Sequence, residues 1–306
     1  MGTNLVASEL QVKWWALMPC LNGIPAPTSL GEGTCLFPGD PNAVWWVDIH
    51  NRHLLRAPLD AFEKSDIPSD VWALPEELGA CRLLSVDGEI FKLEGTGGNS
   101  LWQITVATGE AAPRAMCEIC RAVDEPDNNR FNDGQTGPDG LWYAGTMERS
   151  EQAATGRLLR FERDSTVSVI DPGPYFVTNG PAFSRDGTRL YHNDSARGLI
   201  FVFDRTPDGE WSRKRIFHRY AKGTGSPDGM CVLASDDLLV AVWGGSRLDR
   251  FAWSGEKIGE VPLPARYPTR PALSADEKYV FVSTATAPGG DVGPRGGEML
   301  RALLSA

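Results

Sequence analysis

Apolar and polar positions along this chain follow one repeated pattern: a turn rich in Asp and Gly, one or two linking residues, then a run of large apolar and β-branched side chains. It appears as SVDGEIFKL from Ser85, GPDGLWYAG from Gly137, SRDGTRLYHND from Ser184, ASDDLLVAVW from Ala234 and SADEKYVFVS from Ser274. A looser copy, Val44-Trp45-Trp46-Val47, follows Asp40-Pro41-Asn42. Asp-Gly pairs supply the positive φ of tight turns, so each copy predicts a turn opening into a strand. Successive copies lie roughly 40 to 60 residues apart, the period of propeller blades with four strands each. Between them Leu158 to Phe161, Leu199 to Phe203 and Leu248 to Trp253 read as strands able to pair with their predecessors as hairpins. No stretch sustains a 3.6-residue apolar period, although Asp60 to Leu78 has room for a short helical turn.

Six copies without long helices predict an all-β fold, a six-bladed β-propeller with a central site. No linker divides the chain, so residues 1–306 are expected to form one propeller domain. A propeller must close its ring, and Gln11 to Leu17 is the expected closing strand, completing a last blade built from Tyr279 to Ser283 and Met299 to Leu303. Closure protects edges that would otherwise be open. The Pro/Gly-rich segment from Ala287 to Gly297 is then a surface loop of that blade.

Composition supports this reading and removes some partners. The 33 Gly, 22 Pro and 10 Trp suit many short strands better than helical bundles. A net charge of -10 repels nucleic acid and anionic membranes. The densest basic cluster, Arg213-Lys214-Arg215, reads as a solvated loop or strand edge. Six scattered cysteines are no disulfide framework; Cys117 and Cys120 form a C-x-x-C but lack a second pair for zinc or a βαβ context for redox chemistry. The segment from Leu5 to Cys20 has no basic start and contains Glu9 and Lys13, so it is not a signal peptide. Val6 occupies the position where myristoylation of Gly2 needs Ser or Thr. With no membrane span in the sequence, the default compartment is the cytoplasm.

The densest chemistry lies in Arg130 to Met147, RFNDGQTGPDGLWYAGTM. It opens with Arg130, Asn132 and Asp133 and contains two expected glycine turns, Asp133-Gly134 and Asp139-Gly140. Glu32, Asn179 and Asp228 hold comparable positions in different blades, Glu32 before the first blade's strand and Asn179 just before the turn at Asp186-Gly187, each polar side chain preceding a glycine. Any one alone is ordinary turn chemistry. Converging on the axis, they would form an oxygen-only site of two carboxylates and an amide carbonyl. That set suits Ca²⁺, Mg²⁺ or Mn²⁺ and, with water in the remaining positions, Zn²⁺ or Fe²⁺. The four histidines (His50, His53, His192, His218) supply no spaced ligand pair except His50 and His53, which read as flanking a solvated turn.

These motifs resemble the SMP-30/gluconolactonase/luciferin-regenerating enzyme family, six-bladed propellers with a divalent metal in the central channel. The resemblance runs from Leu30 to about Phe251. It implies that Glu32 of G-E-G, Asn179 of N-G and Asp228 of P-D-G-M are metal ligands, with Asp228 also the general base. It further implies that Arg130 and Asn132 of R-F-N-D-G contact a sugar, and the adjacent Asp133 is grouped with them as substrate-binding. The implied activity is hydrolysis of a sugar-acid lactone, an aldonolactone, to the open-chain acid. There are departures. The family's second substrate-binding glutamate aligns with Ser150, with Glu148 and Glu151 nearby; Trp243-Gly244-Gly245 follows the bacterial pattern; and the segment before Leu30 is long. Two other functions fit the same residues: a metal-dependent esterase or organophosphate hydrolase, and a non-catalytic propeller that binds a partner.

Overall fold

The computed structural model describes residues 13–21, 24–63, 69–286 and 293–304. Gln11 and Val12 of the expected closing strand and residues 287–292 of the expected loop lie outside these. Among the described residues, six antiparallel sheets of four strands each follow one another along the chain, with a small additional hairpin of Cys20–Leu21 and Ile24–Pro25. The inner strands of blades one to six are Gly31–Phe37, Ala80–Asp87, Asn129–Thr136, Thr178–Phe183, Ser226–Val232 and Pro268–Leu273. The fold is a six-bladed β-propeller.

The alternation along each second strand explains the ring. In blade one, Trp45 and Val47 pack toward blade two, while Val44 and Trp46 pack toward Phe281 and Met299 of blade six. In blade five, Leu238, Val240 and Val242 face blade four, and Leu239 and Ala241 face blade six. Successive strand residues point to opposite faces, and here both faces meet a neighbouring sheet. The repeats therefore read as continuous apolar runs, and the core is divided into six packets, one between each pair of blades. The first is anchored by Trp45 stacked on Trp72 at 5.6 Å and meeting Phe91 edge-on at 5.1 Å.

Blade six is assembled from both ends of the chain. Trp14–Leu17 is its outermost strand, antiparallel to Met299–Leu303 with Trp14 opposite Ala302 and Leu17 opposite Met299. The Arg301 guanidinium lies 4.3 Å from the Trp15 ring centre and 5.0 Å from that of Tyr279.

Each Asp/Gly turn of the repeat sits between an inner strand and the second strand of its blade, as at Gly140 (φ 76°) and Gly187 (φ 69°). Asp133-Gly134 is not a turn: both residues lie inside the inner strand of blade three. The expected helical turn is a 3-10 segment, Leu59–Phe62. The strand expected to reach Trp253 ends at Phe251, leaving Trp253 exposed. Arg213 to Arg215 lie on the outermost strand of blade four, where Lys214 pairs with Asp171.

Candidate active site

Glu32, Asn132, Asp133, Asn179 and Asp228 all lie within inner strands. Glu32 thus precedes the Asp40–Asp48 strand and Asn179 the Asp186-Gly187 turn, and each sits at a break in strand register. The pairing with the second strand shifts between Glu32 and Cys35, Phe131 and Asp133, Asn179 and Ala182, Pro227 and Met230, and Pro268 and Pro271. A bulge re-aims a side chain and frees it from simple alternation. Gly33 (φ 59°) and Gly180 (φ 83°) supply the left-handed backbone at two of these breaks, which is why the polar residues precede glycines.

Arg130, Asn132 and Asn179 form one buried chain of hydrogen bonds. Arg130 Nη1 donates to Asn132 Oδ1 at 2.7 Å, and Asn132 Nδ2 donates to the Thr178 carbonyl at 2.7 Å and to Asn179 Oδ1 at 3.2 Å. Asn179 Nδ2 donates to Ser195 Oγ at 2.9 Å, which fixes the amide so that its oxygen keeps a second lone pair. Glu32 and Asp228, 2% and 5% exposed, lie close enough to act on one another electrostatically. Each is steadied by the next residue in its strand: Gly33 N–H donates to Glu32 at 3.2 Å and Gly229 N–H to Asp228 Oδ1 at 2.9 Å.

Asp133 has a different environment from the one expected of a substrate contact. Its oxygens accept from Gly134 N–H at 2.7 Å, from Gly180 N–H at 2.8 Å and, both together, from Arg270 Nη1. A carboxylate has about four lone-pair sites, and these donors occupy them. Asp133 therefore anchors the frame. Arg270 was not singled out in the sequence. It is the third residue of its inner strand, as Asp228 is of the preceding one, so aligning the repeats on their inner strands would have found it. Asn193, also missed, donates to the Asp228 carbonyl at 2.6 Å.

The electrostatics follow from crowding like charges out of water. Burial, then the charges of Asp228 and Asp133, hold the Glu32 carboxyl well above its ordinary range. Burial, then Asp133, does the same to Asp228. For Asp133 burial outweighs Arg270 and the backbone donors, so its pKa is also raised. Burial opposes the Arg270 charge, but Asp133 and Glu32 more than offset it. Burial lowers the pKa of Arg130 despite the nearby Glu77 and Glu151.

The donor chemistry fits a divalent cation. Arg270 balances Asp133, which leaves Glu32 and Asp228, two adjacent carboxylates matching a charge of +2. No cluster of three His, Cys, Asp or Glu among the described residues is arranged for a metal, so the amide oxygen of Asn179 and water would complete such a set. Of the three candidates for a second acid, Glu148 is taken up by its own turn, accepting from Ser150 Oγ at 2.8 Å and Gln152 N–H at 3.0 Å. Glu151 is exposed at φ 61° and acts on Arg130 electrostatically. A cavity of about 670 Å³ is lined by inner-strand residues including Cys35, Cys81, Gln135, Cys231 and Arg270. Glu32, Asn179 and Asp228 are not among its lining residues.

The chain has relatives in sequence and in fold. A 6-deoxy-6-sulfogluconolactonase of Pseudomonas putida is 29% identical over 247 residues, 79% of this chain and 79% of that protein. An L-arabinolactonase of Azospirillum brasilense is 30% identical over 257 residues, 83% of this chain and 81% of that protein. The crystal structure of a calcium-binding protein, regucalcin, from Agrobacterium tumefaciens shares the fold, with a TM-score of 0.78 at 24% identity over 90% of each chain. The SMP-30/Gluconolactonase/LRE-like region matches residues 30–286, and the chain belongs to that family.

Proposed function

We propose that this protein is a sugar-lactone hydrolase that opens an aldonolactone to the aldonic acid, with its reaction centre at Glu32, Asn179 and Asp228. The observation that carries the proposal is that two buried carboxyls on inner strands, Glu32 and Asp228, act on one another's ionisation, with the Arg130-Asn132-Asn179 hydrogen-bond chain formed on the inner strands of blades three and four. Family membership supports it, as do the two relatives named for sugar lactones.

Glu32, Asn179 and Asp228 would hold a divalent cation, and a bound cation supplies a Lewis acid for the lactone carbonyl, an effect of several kcal/mol. The chain's own residues do the rest. Arg130 offers the ring hydroxyls the guanidinium N–H groups that its bonds to Phe131 and Asn132 leave over. Asn132, whose two amide hydrogens are engaged, holds that guanidinium and keeps one lone pair of Oδ1 to accept from the sugar, so the substrate is oriented without a search at the moment of reaction. Asp228, held at Oδ1 by Gly229 N–H, takes the proton of the attacking water and returns it to the ring oxygen as the ester C–O bond breaks. Burial of the site excludes bulk water and strengthens each of these interactions.

A proton-release assay against pentono- and hexonolactones, aryl esters and organophosphates tests this. Acid production from the lactones alone, lost with a chelator and restored by a divalent salt, is the expected result. Turnover of aryl esters or organophosphates in preference to every lactone would overturn it.

A further inference from the structure

We propose that Arg270 is a resident counter-cation: it neutralises Asp133, limits the channel to the charge of Glu32 and Asp228, and so sets how tightly a divalent ion is held. The inference rests on the reading of Glu32, Asn179 and Asp228 as cation ligands.

The geometry is specific. Arg270 reaches the channel by passing over the neighbouring strand at Gly229, where a Cβ would lie 2.4 Å from Arg270 Cδ. Only glycine leaves room for that path. The guanidinium is then held at two corners, Nη1 by both oxygens of Asp133 and Nη2 by Gln135 Oε1 at 2.9 Å, while Nε is buried without a partner. A buried nitrogen left unpaired is costly, so the fork is aimed at Asp133 at the expense of its own satisfaction. Arginine keeps its charge at any pH the fold survives, which makes this a fixed neutraliser.

Asp133 sits one residue from Asn132, and its carboxylate acts electrostatically on both Glu32 and Asp228. Without Arg270, three carboxylates would share the channel. They would attract a cation more strongly and repel one another when it is absent. With Arg270 in place, two remain, enough to match a divalent ion. The ion pair thus acts as a charge limiter built into the frame, distinct from the ligands themselves.

The two halves of the pair make opposite predictions, which a purely structural role does not. Mn²⁺ is titrated calorimetrically into chelator-stripped wild type, Arg270→Met, Asp133→Asn and the double variant, with folding checked by far-UV circular dichroism. Arg270→Met should bind Mn²⁺ about tenfold tighter or more, and Asp133→Asn weaker by a similar factor, as expected for one charge gained or lost at close range. The double variant should return near wild type. If Arg270→Met fails to fold, Asp133→Asn and the double variant still carry the test, since restoration by the second substitution is expected only of charge balance. Weaker binding in every variant, or unchanged affinity in folded Arg270→Met, overturns the proposal while leaving the ligand assignment intact. Mn²⁺ binding that is identical in wild type and Asp228→Asn overturns the ligand assignment and this inference with it.

Discussion

Glu32 and Asp228, from blades one and five, are both buried and lie close enough that each carboxyl acts on the ionisation of the other. Two carboxylates so placed retain a proton unless a cation offsets their charges. The site is therefore a place where function opposes stability in the metal-free protein. The sign follows from linkage. Both folded-state pKa values are raised, so the folded state binds more protons than the unfolded chain. The contribution is fully present below the ordinary carboxylate range near about 4 and is lost as pH rises through the raised values.

Glu32→Gln should remove that loss. In chelator, the melting temperature of Glu32→Gln is expected to exceed that of wild type by an amount that grows as pH rises above about 4.5, each unit of upward shift corresponding to about 1.4 kcal/mol. Saturating divalent salt should reverse the order. Calorimetric melts across pH check this, and a difference that shrinks with pH would falsify the electrostatic account.

Asn132 links the two halves of the site, accepting from Arg130 and donating to Thr178 and Asn179. Asn132→Leu keeps the volume but removes all three bonds. Lactone kcat/KM should fall by roughly 10²-fold, the scale of a small misplacement at a reacting centre. Steady-state kinetics with metal saturating would show it, and a change under twofold would mean that the chain of bonds does not orient the substrate.

Ring closure makes a separate, purely structural prediction. Trp15 carries the Arg301 guanidinium at 4.3 Å and meets Tyr279 edge-on at 6.0 Å, tying the N-terminal strand to the last blade. Trp15→Ala should cost about 1–2 kcal/mol in urea unfolding and raise aggregation, because the edge of Met299–Leu303 becomes easier to open. Unchanged unfolding and solubility would show that the blade holds without this contact.

Most of the ring was legible in the sequence because its signal is local. The Asp/Gly turns mark the junction of inner and second strands, and the apolar runs reflect burial on both faces of each blade. Glu32, Asn179 and Asp228 stood out as polar residues beside glycines at comparable places. What the sequence did not display is the mechanism that aims them, since a bulge leaves no signature beyond a glycine that equally suits a turn. Asp133-Gly134 was misread as a turn for the same reason. Arg270 was missed because its meaning lies in a contact with Asp133 on a strand three blades away. Asp133, grouped with the sugar contacts by adjacency, has its oxygens filled by that arginine and two backbone donors.

The central claim is that lactone hydrolysis depends on one divalent ion held by Glu32, Asn179 and Asp228. Its most direct test is to strip the protein of metal, add Mn²⁺ in sub-stoichiometric steps, and follow proton release from an aldonolactone at each step. Activity should rise linearly from near zero and level off at one ion per chain, and Asp228→Asn should stay inactive throughout. Full turnover before any ion is added, or recovery of Asp228→Asn to wild-type rates, would contradict it.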